Sequence, residues 1–204
     1  RNMVAKRFFD DGRFRFFLLF SLSIPLNIGY AILKTVYGFV LHSNWIVQNG
    51  VYYTLLTLMR FIIIRGAEKN EEDKALKLSS IILSISSFHY LLMVLEMYLH
   101  TSSPHYPGYI VYVASLYAFI KVGVAIKGCI KVKTTATPAI VAGNNLKISH
   151  AFVSLIFLES GMLNIFGEGT EEERLILLIS GLVVVAYLFV SGPLLIVWNK
   201  RNKV

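Results

Sequence analysis

Ionisable side chains sit inside stretches that are otherwise apolar, among them Lys34, Arg60, His89, Glu96, Lys121 and Glu159. A charge at the centre of a bilayer-spanning helix costs about 2.5–3.5 kcal/mol on insertion scales, so such residues pair, reach out to the headgroups or face an enclosed polar space. Asn27, Tyr30, Tyr53 and Tyr117 lie within one or two helical turns of these charges and complete a set of ten candidate cavity residues. Their chemistry is that of holding or passing a small solute or ion. Arg60, Lys121 and Lys127 would favour an anion or a lipid phosphate, whereas Glu96 and Glu159 would favour a cation or a proton step. His89 is a candidate proton carrier, because imidazole titrates near neutrality in water. Its plainer role is a hydrogen bond to a neighbouring helix.

Motifs for other chemistry are missing. The chain has no Gly-rich phosphate loop, no HExxH and no nucleophile elbow. No catalytic set, cofactor site or metal site is indicated. A single cysteine, Cys129, rules out an intrachain disulfide and a cysteine-based zinc cluster. Glu171–Glu173 resembles the paired glutamates of intramembrane proteases, but it falls in a turn, and the histidines such enzymes need are not at matching positions.

The elements that must hold these residues are membrane helices. Over 204 residues the chain is 55% apolar, and its mean hydropathy is +0.62. The apolar runs reach the ~18–25 residues needed to cross a bilayer. The expected fold is all-α: one six-helix transmembrane domain over 1–204, with no room for a soluble domain. A basic, aromatic-rich arm at 1–15 suits an interfacial helix. Six spans follow, at 16–41, 46–64, 78–99, 109–130, 144–166 and 175–198. Pro25 interrupts span one and Gly192-Pro193 lies near the end of span six. Segment 66–77 reads as a solvated loop, 134–143 as a loop at the interface, and 167–174 as an acidic turn. The first run is too long for a signal-peptide core and is expected to stay.

Loop charges set the orientation. The formal charge is +8, and nearly all the non-membrane Lys and Arg lie in the arm, the 65–77 loop, the 131–133 region and the C-terminal tail. The alternate loops at 42–45, 100–108 and 167–174 contain only Arg174. Both termini are therefore expected in the cytoplasm. The same distribution argues against a nucleic-acid partner. The bilayer is the expected partner, together with an unidentified small solute or ion of anionic leaning; the chain could act as a homo-oligomer or with a partner subunit.

Tyr30-Ala-Ile-Leu-Lys34 in span one matches Tyr117-Ala-Phe-Ile-Lys121 in span four. This suggests a 3+3 inverted repeat with halves 16–99 and 109–198, as in many transporters. Aligning span two with span five brings Tyr53 near Phe152 and Arg60 opposite Glu159. Lys34, Glu96 and Glu159 then fall in the outer half of the bilayer, and Arg60, Lys121 and Lys127 in the inner half. The plainer readings are that Arg60, Lys127 and Lys147 snorkel to headgroups, and that Lys34 and Glu159 form a structural ion pair. His150, by its place near the start of span five, reads as interfacial. The serines of span three and Gly38, Gly123, Gly128 and Gly161 read as helix-packing positions.

The order Asn27, Tyr30-Ala31, Gly38, Ser43, Trp45, Tyr52-Tyr53, Leu56, Arg60 resembles an uncharacterised family of small six-span bacterial membrane proteins. The likeness continues more loosely through Tyr117–Lys121, Pro138 and 151–167, while His150 and Glu159 depart from it, a carboxylate and a glutamine being expected there. The resemblance implies a bacterial inner-membrane protein and no particular activity. Three functions fit these observations. The first is a small transporter or channel with a polar cavity. The second is a substrate-binding or accessory subunit, such as the binding component of a vitamin transporter or a sensor that partners a kinase. The third is an intramembrane enzyme.

Overall fold

In lipid, a long apolar run can satisfy its own backbone groups only as a helix. The computed structural model describes residues 12–40, 42, 44–99, 108–132 and 137–201. These form six helices: α1 (Gly12–Val40), α2 (Asn44–Glu68), α3 (Glu72–Leu99), α4 (Gly108–Val132), α5 (Pro138–Phe166) and α6 (Glu171–Arg201). Five of them, α1, α2, α3, α5 and α6, are long and apolar enough to cross a membrane. Large apolar side chains point outward along the bundle, among them Leu26, Leu33, Phe39, Phe119, Ile130 and Leu194. Such an apolar exterior belongs in lipid rather than water. The expected interfacial helix at 1–15 lies mostly outside the described residues.

The helices are longer than hydropathy alone suggests. The polar 66–77 segment is mostly helical, and only residues 69–71 turn between α2 and α3. Asn70 takes a positive φ of 55° there, a conformation that asparagine tolerates. The 134–143 segment also departs from expectation, because α5 begins at Pro138. Thr137 caps it, its hydroxyl accepting from the Ile140 amide, and proline is at home in a first helical turn. Glu72 of α3 also accepts from the Ala139 amide at 3.1 Å, tying two helix starts together. Helix α1 runs through Pro25 without a break.

Helix α5 is the centre of the packing and meets all five other helices. Helices α1 and α2 form one tight pair, α3 and α6 another, and α4 packs on α5. Small residues let the backbones approach. A Cβ on Gly192 would fall 2.7 Å from the Ser80 carbonyl oxygen, and one on Gly50 would fall 2.2 Å from Thr35 Oγ1. Gly38 packs similarly against Val47, whereas Gly123 has nothing within 4 Å and is not the packing position expected of it. The apolar core runs through Phe20, Leu56, Met59, Leu76, Met93 and Leu188.

Candidate functional site

Along α2, Asn49, Tyr53 and Arg60 lie on one stripe, spaced by four and seven residues. Along α5, His150, Ser154 and Phe157 form a second stripe, spaced by four and three residues. These two stripes face each other, with α1 and α4 on the flanks, and the buried Asn49, Arg60, His150 and Ser154 lie where they meet.

Lys34 of α1 is 7% exposed, so it is buried in the bundle and does not extend to its surface. Its ammonium donates to Asn49 Oδ1 at 2.8 Å. Three rings surround it: Phe157 at 3.5 Å from the ring centre, Tyr53 at 4.8 Å and Tyr30 at 4.9 Å. This is an aromatic cage, in which ring faces and one amide oxygen stand where a carboxylate would otherwise be needed. The Lys34–Glu159 ion pair considered from sequence is not formed. Glu159 instead accepts from Ser180 at 3.0 Å, linking α5 to α6.

Arg60 is 3% exposed and does not snorkel. Its Nη1 donates to Ser23 Oγ at 2.5 Å and its Nη2 to His150 Nδ1 at 2.9 Å. Its Nε is buried with no partner. Phe20 lies 5.4 Å from the guanidinium carbon. The expected position opposite Glu159 is taken by His150, about two and a half turns nearer the start of α5. His150 is 1% exposed, which corrects the interfacial assignment. The reason is the early start of α5: capping at Thr137 puts His150 twelve residues into the helix, or about 18 Å from its start. Its Nε2 lies 3.2 Å from Tyr117 Oη, and Tyr53 meets its ring edge-on at 4.8 Å.

Tyr30 and Tyr117 stack with centroids 5.0 Å apart, joining α1 to α4. Lys121 lies one turn beyond Tyr117, its ammonium 4.7 Å from that ring. Tyr53 Oη and Ser154 Oγ are 3.4 Å apart. Six of the ten candidate residues are thus brought together: Tyr30, Lys34, Tyr53, Arg60, Tyr117 and Lys121. Among the described residues, no carboxylate pairs with Lys34, Arg60 or Lys121; Lys74 at the start of α3 pairs with Glu71.

The other four candidates lie elsewhere. Asn27 is buried, but its amide donates to Ser23 O in its own helix at 2.6 Å. His89 Nε2 lies 3.1 Å from Gln48 O, the hydrogen bond to a neighbouring helix foreseen as its plainer role. Glu96 accepts from Gln48 Nε2, so the start of α2 and the end of α3 are joined by one glutamine. Glu159 serves α6 as described. Sequence reasoning missed Ser23, Asn49, His150, Ser154 and Phe157. Helical spacing from Tyr53 and Arg60 would have found Asn49; for the α5 residues the signal was hidden by the misplaced helix start.

Chemically, the cluster is a column of cations insulated by aromatic rings. One cation, Lys34, is satisfied by its cage and by Asn49. The other two are less so: among the described residues Arg60 Nε has no partner and Lys121 has only a ring face. Among those residues, no group of three or more His, Cys, Asp or Glu side chains is placed to hold a metal ion. No protein-family model, curated protein or solved structure gives a significant match to this chain.

Proposed function

We propose that the chain is a small membrane transporter or channel for an anionic solute, which is received between Arg60 and Lys121. One observation carries this reading: three cations converge at lipid depth with no described carboxylate to balance them, and two of them, Arg60 and Lys121, have donors to spare. At about 2.5–3.5 kcal/mol per charge, such an arrangement is expensive unless a mobile anion completes it. The solute is then small, and its negative charge is its recognised feature.

Two further features support a transport architecture. The helix pairs α1–α2 and α2–α3 have counterparts in α4–α5 and α5–α6, while α2–α5 and α3–α6 pair across the halves. That is the pattern an inverted repeat produces. The matched residues Tyr30 and Tyr117 stack on each other, as residues beside a two-fold axis would. Tyr53 meets His150 rather than Phe152, so the register is two residues away from the simplest alignment. The α3–α5 contact has no α2–α6 counterpart among the described residues, so the halves have diverged in packing. In the same reading α4 is the sixth span, both termini are cytoplasmic by loop charge, and the membrane is the bacterial inner membrane, as the resemblance to the small six-span family implies.

The test is flux of nitrate and of inorganic phosphate into proteoliposomes holding the purified chain. Native protein admits at least one of these anions above the rate of empty vesicles. R60Q and K121M each reduce that flux at least tenfold. Equal flux in the native chain and both variants would refute the reading.

A further inference from the structure

The hydrogens in the chain Arg60–His150–Tyr117 follow from donor chemistry. A guanidinium has donors and no acceptor. His150 Nδ1, 2.9 Å from Arg60 Nη2, must therefore accept and carries no proton. A neutral ring with a bare Nδ1 has its proton on Nε2, which donates to Tyr117 Oη at 3.2 Å. A second proton on Nδ1 would place one donor against another. Arg60 and a proton thus exclude each other at Nδ1.

Nη2 carries two hydrogens; the coupling requires that the one on the Nε side is the one given to Nδ1, and Arg60 then releases Nδ1 by giving that hydrogen to another acceptor. Its own geometry says which one. Nε is buried and unpartnered, and Nε with Nη2 forms one edge of the planar fork. That edge matches two oxygens of a planar or tetrahedral oxyanion. Lys121, over the Tyr117 ring, supplies a further positive charge nearby.

We propose that an oxyanion bound on the Nε–Nη2 edge of Arg60 frees His150 Nδ1 to take up a proton, so that the site loads an oxyanion and a proton together. The proposal rests on the anion-transport reading and adds the second species carried. The balance is simple. The Nη2 hydrogen moves its hydrogen bond from Nδ1 to an anion oxygen, and no bond in the anion breaks. A proton from water adds to the Nδ1 lone pair and gives imidazolium. For a monovalent oxyanion the site gains no net charge.

The groups around His150 favour this coupling. Arg60 and Tyr53 of α2 and Tyr117 of α4 contact it, and Lys34 of α1 and Lys121 of α4 lie against the Tyr53 and Tyr117 rings that border it. Ser154 lies one turn along α5 and donates to the His150 carbonyl. Lys147, also on α5, sits over the Phe16 ring at 4.2 Å. From α3 and α6, Tyr90 and Tyr187 turn to Tyr52 and Phe152 instead. Glu159 is occupied by Ser180. An empty site therefore gathers three cations around the ring, and a bound monovalent anion offsets one of them.

The experiment uses proteoliposomes of the full chain with a trapped pH dye and the membrane potential clamped. Nitrate and inorganic phosphate are separate probes. The expected result for nitrate is internal acidification of about one proton per anion. In parallel, chain labelled with 15N-histidine is titrated with nitrate at fixed pH. One of the five histidines should change from the Nε2–H form to imidazolium, and that signal should be missing from H150Q. H150Q should also lose proton entry with the anion. Anion flux without acidification, acidification that persists in H150Q, or a His150 that stays neutral with anion bound would each overturn the coupling and leave transport standing. If neither anion binds to or crosses with the native chain, the transport reading falls and the coupling with it.

Discussion

Replacing Lys121 by methionine should make the protein more stable while stopping its transport. The ammonium of Lys121 has one favourable described contact, the Tyr117 ring at 4.7 Å. A cation–π contact of this kind is worth about 1 kcal/mol. Holding the charge at this depth costs about 2.5–3.5 kcal/mol. Methionine keeps the length of the side chain and loses the charge, so the balance favours K121M by about 2 kcal/mol. Lys34 gives the opposite sign. K34M loses a charge-assisted hydrogen bond to Asn49, about 1.5–3 kcal/mol, and three ring contacts at about 1 kcal/mol each. It also leaves the Asn49 oxygen buried without its donor. The sum exceeds the insertion cost recovered and predicts destabilisation by about 2 kcal/mol. Denaturant titration in detergent micelles, in buffer free of oxyanions, measures both. Adding nitrate at about 100 times its Kd should then stabilise native protein by about 2.7 kcal/mol and K121M hardly at all. Destabilisation of K121M by more than about 1 kcal/mol, or stabilisation of K34M, would refute the division into a caged cation and a free one.

The remaining predictions concern the scaffold. G192L should separate α3 from α6, because its Cβ would lie 2.7 Å from the Ser80 carbonyl oxygen; an overpacking loss of about 1–3 kcal/mol is expected in the same titration. T137A should cost about 1 kcal/mol by removing the α5 cap, and it should reduce anion flux because α5 positions His150. In the turn between α2 and α3, the Lys74 ammonium beside Glu71 holds that carboxyl below its ordinary value of 4.5. A depressed carboxyl contributes stability above its unfolded value, and the contribution is lost as pH falls through the folded one. An NMR titration of Glu71 should therefore have its midpoint below 4.5, and K74A should return it to the ordinary range. For orientation, a cysteine at Gly169 in a chain lacking Cys129 should react with an impermeant maleimide from outside intact cells, and one at Lys69 should not; the reverse would invert the assignment of the termini.

Much of the helical architecture was legible, because hydropathy over twenty residues is set by the solvent each helix faces. Helix ends were less so. Polar residues in 66–77 read as loop, yet Lys and Glu are good helix formers and carry α2 and α3 almost into each other. The start of α5 was misplaced because the loop reading of 134–143 outweighed a Thr-Pro start signal. That single error moved His150 from the middle of a helix to its edge, and so hid the group that joins Arg60 to Tyr117. The Tyr-Ala-x-x-Lys match did point to two residues that touch, Tyr30 and Tyr117. It could not say which carboxylates stay apart from the cations, since that depends on helix rotation, which a lone sequence leaves open. Glu159 therefore read as a partner for Lys34 or Arg60, and the structure gives it to Ser180.

The most direct test of the account is an anomalous difference map from crystals grown with selenate, a heavy-atom oxyanion. The account predicts a peak beside Arg60 Nε, within reach of Lys121 and enclosed by Tyr117 and His150. A map with both cations turned out to the headgroups, or with selenate at the surface and none beside Arg60, would contradict it.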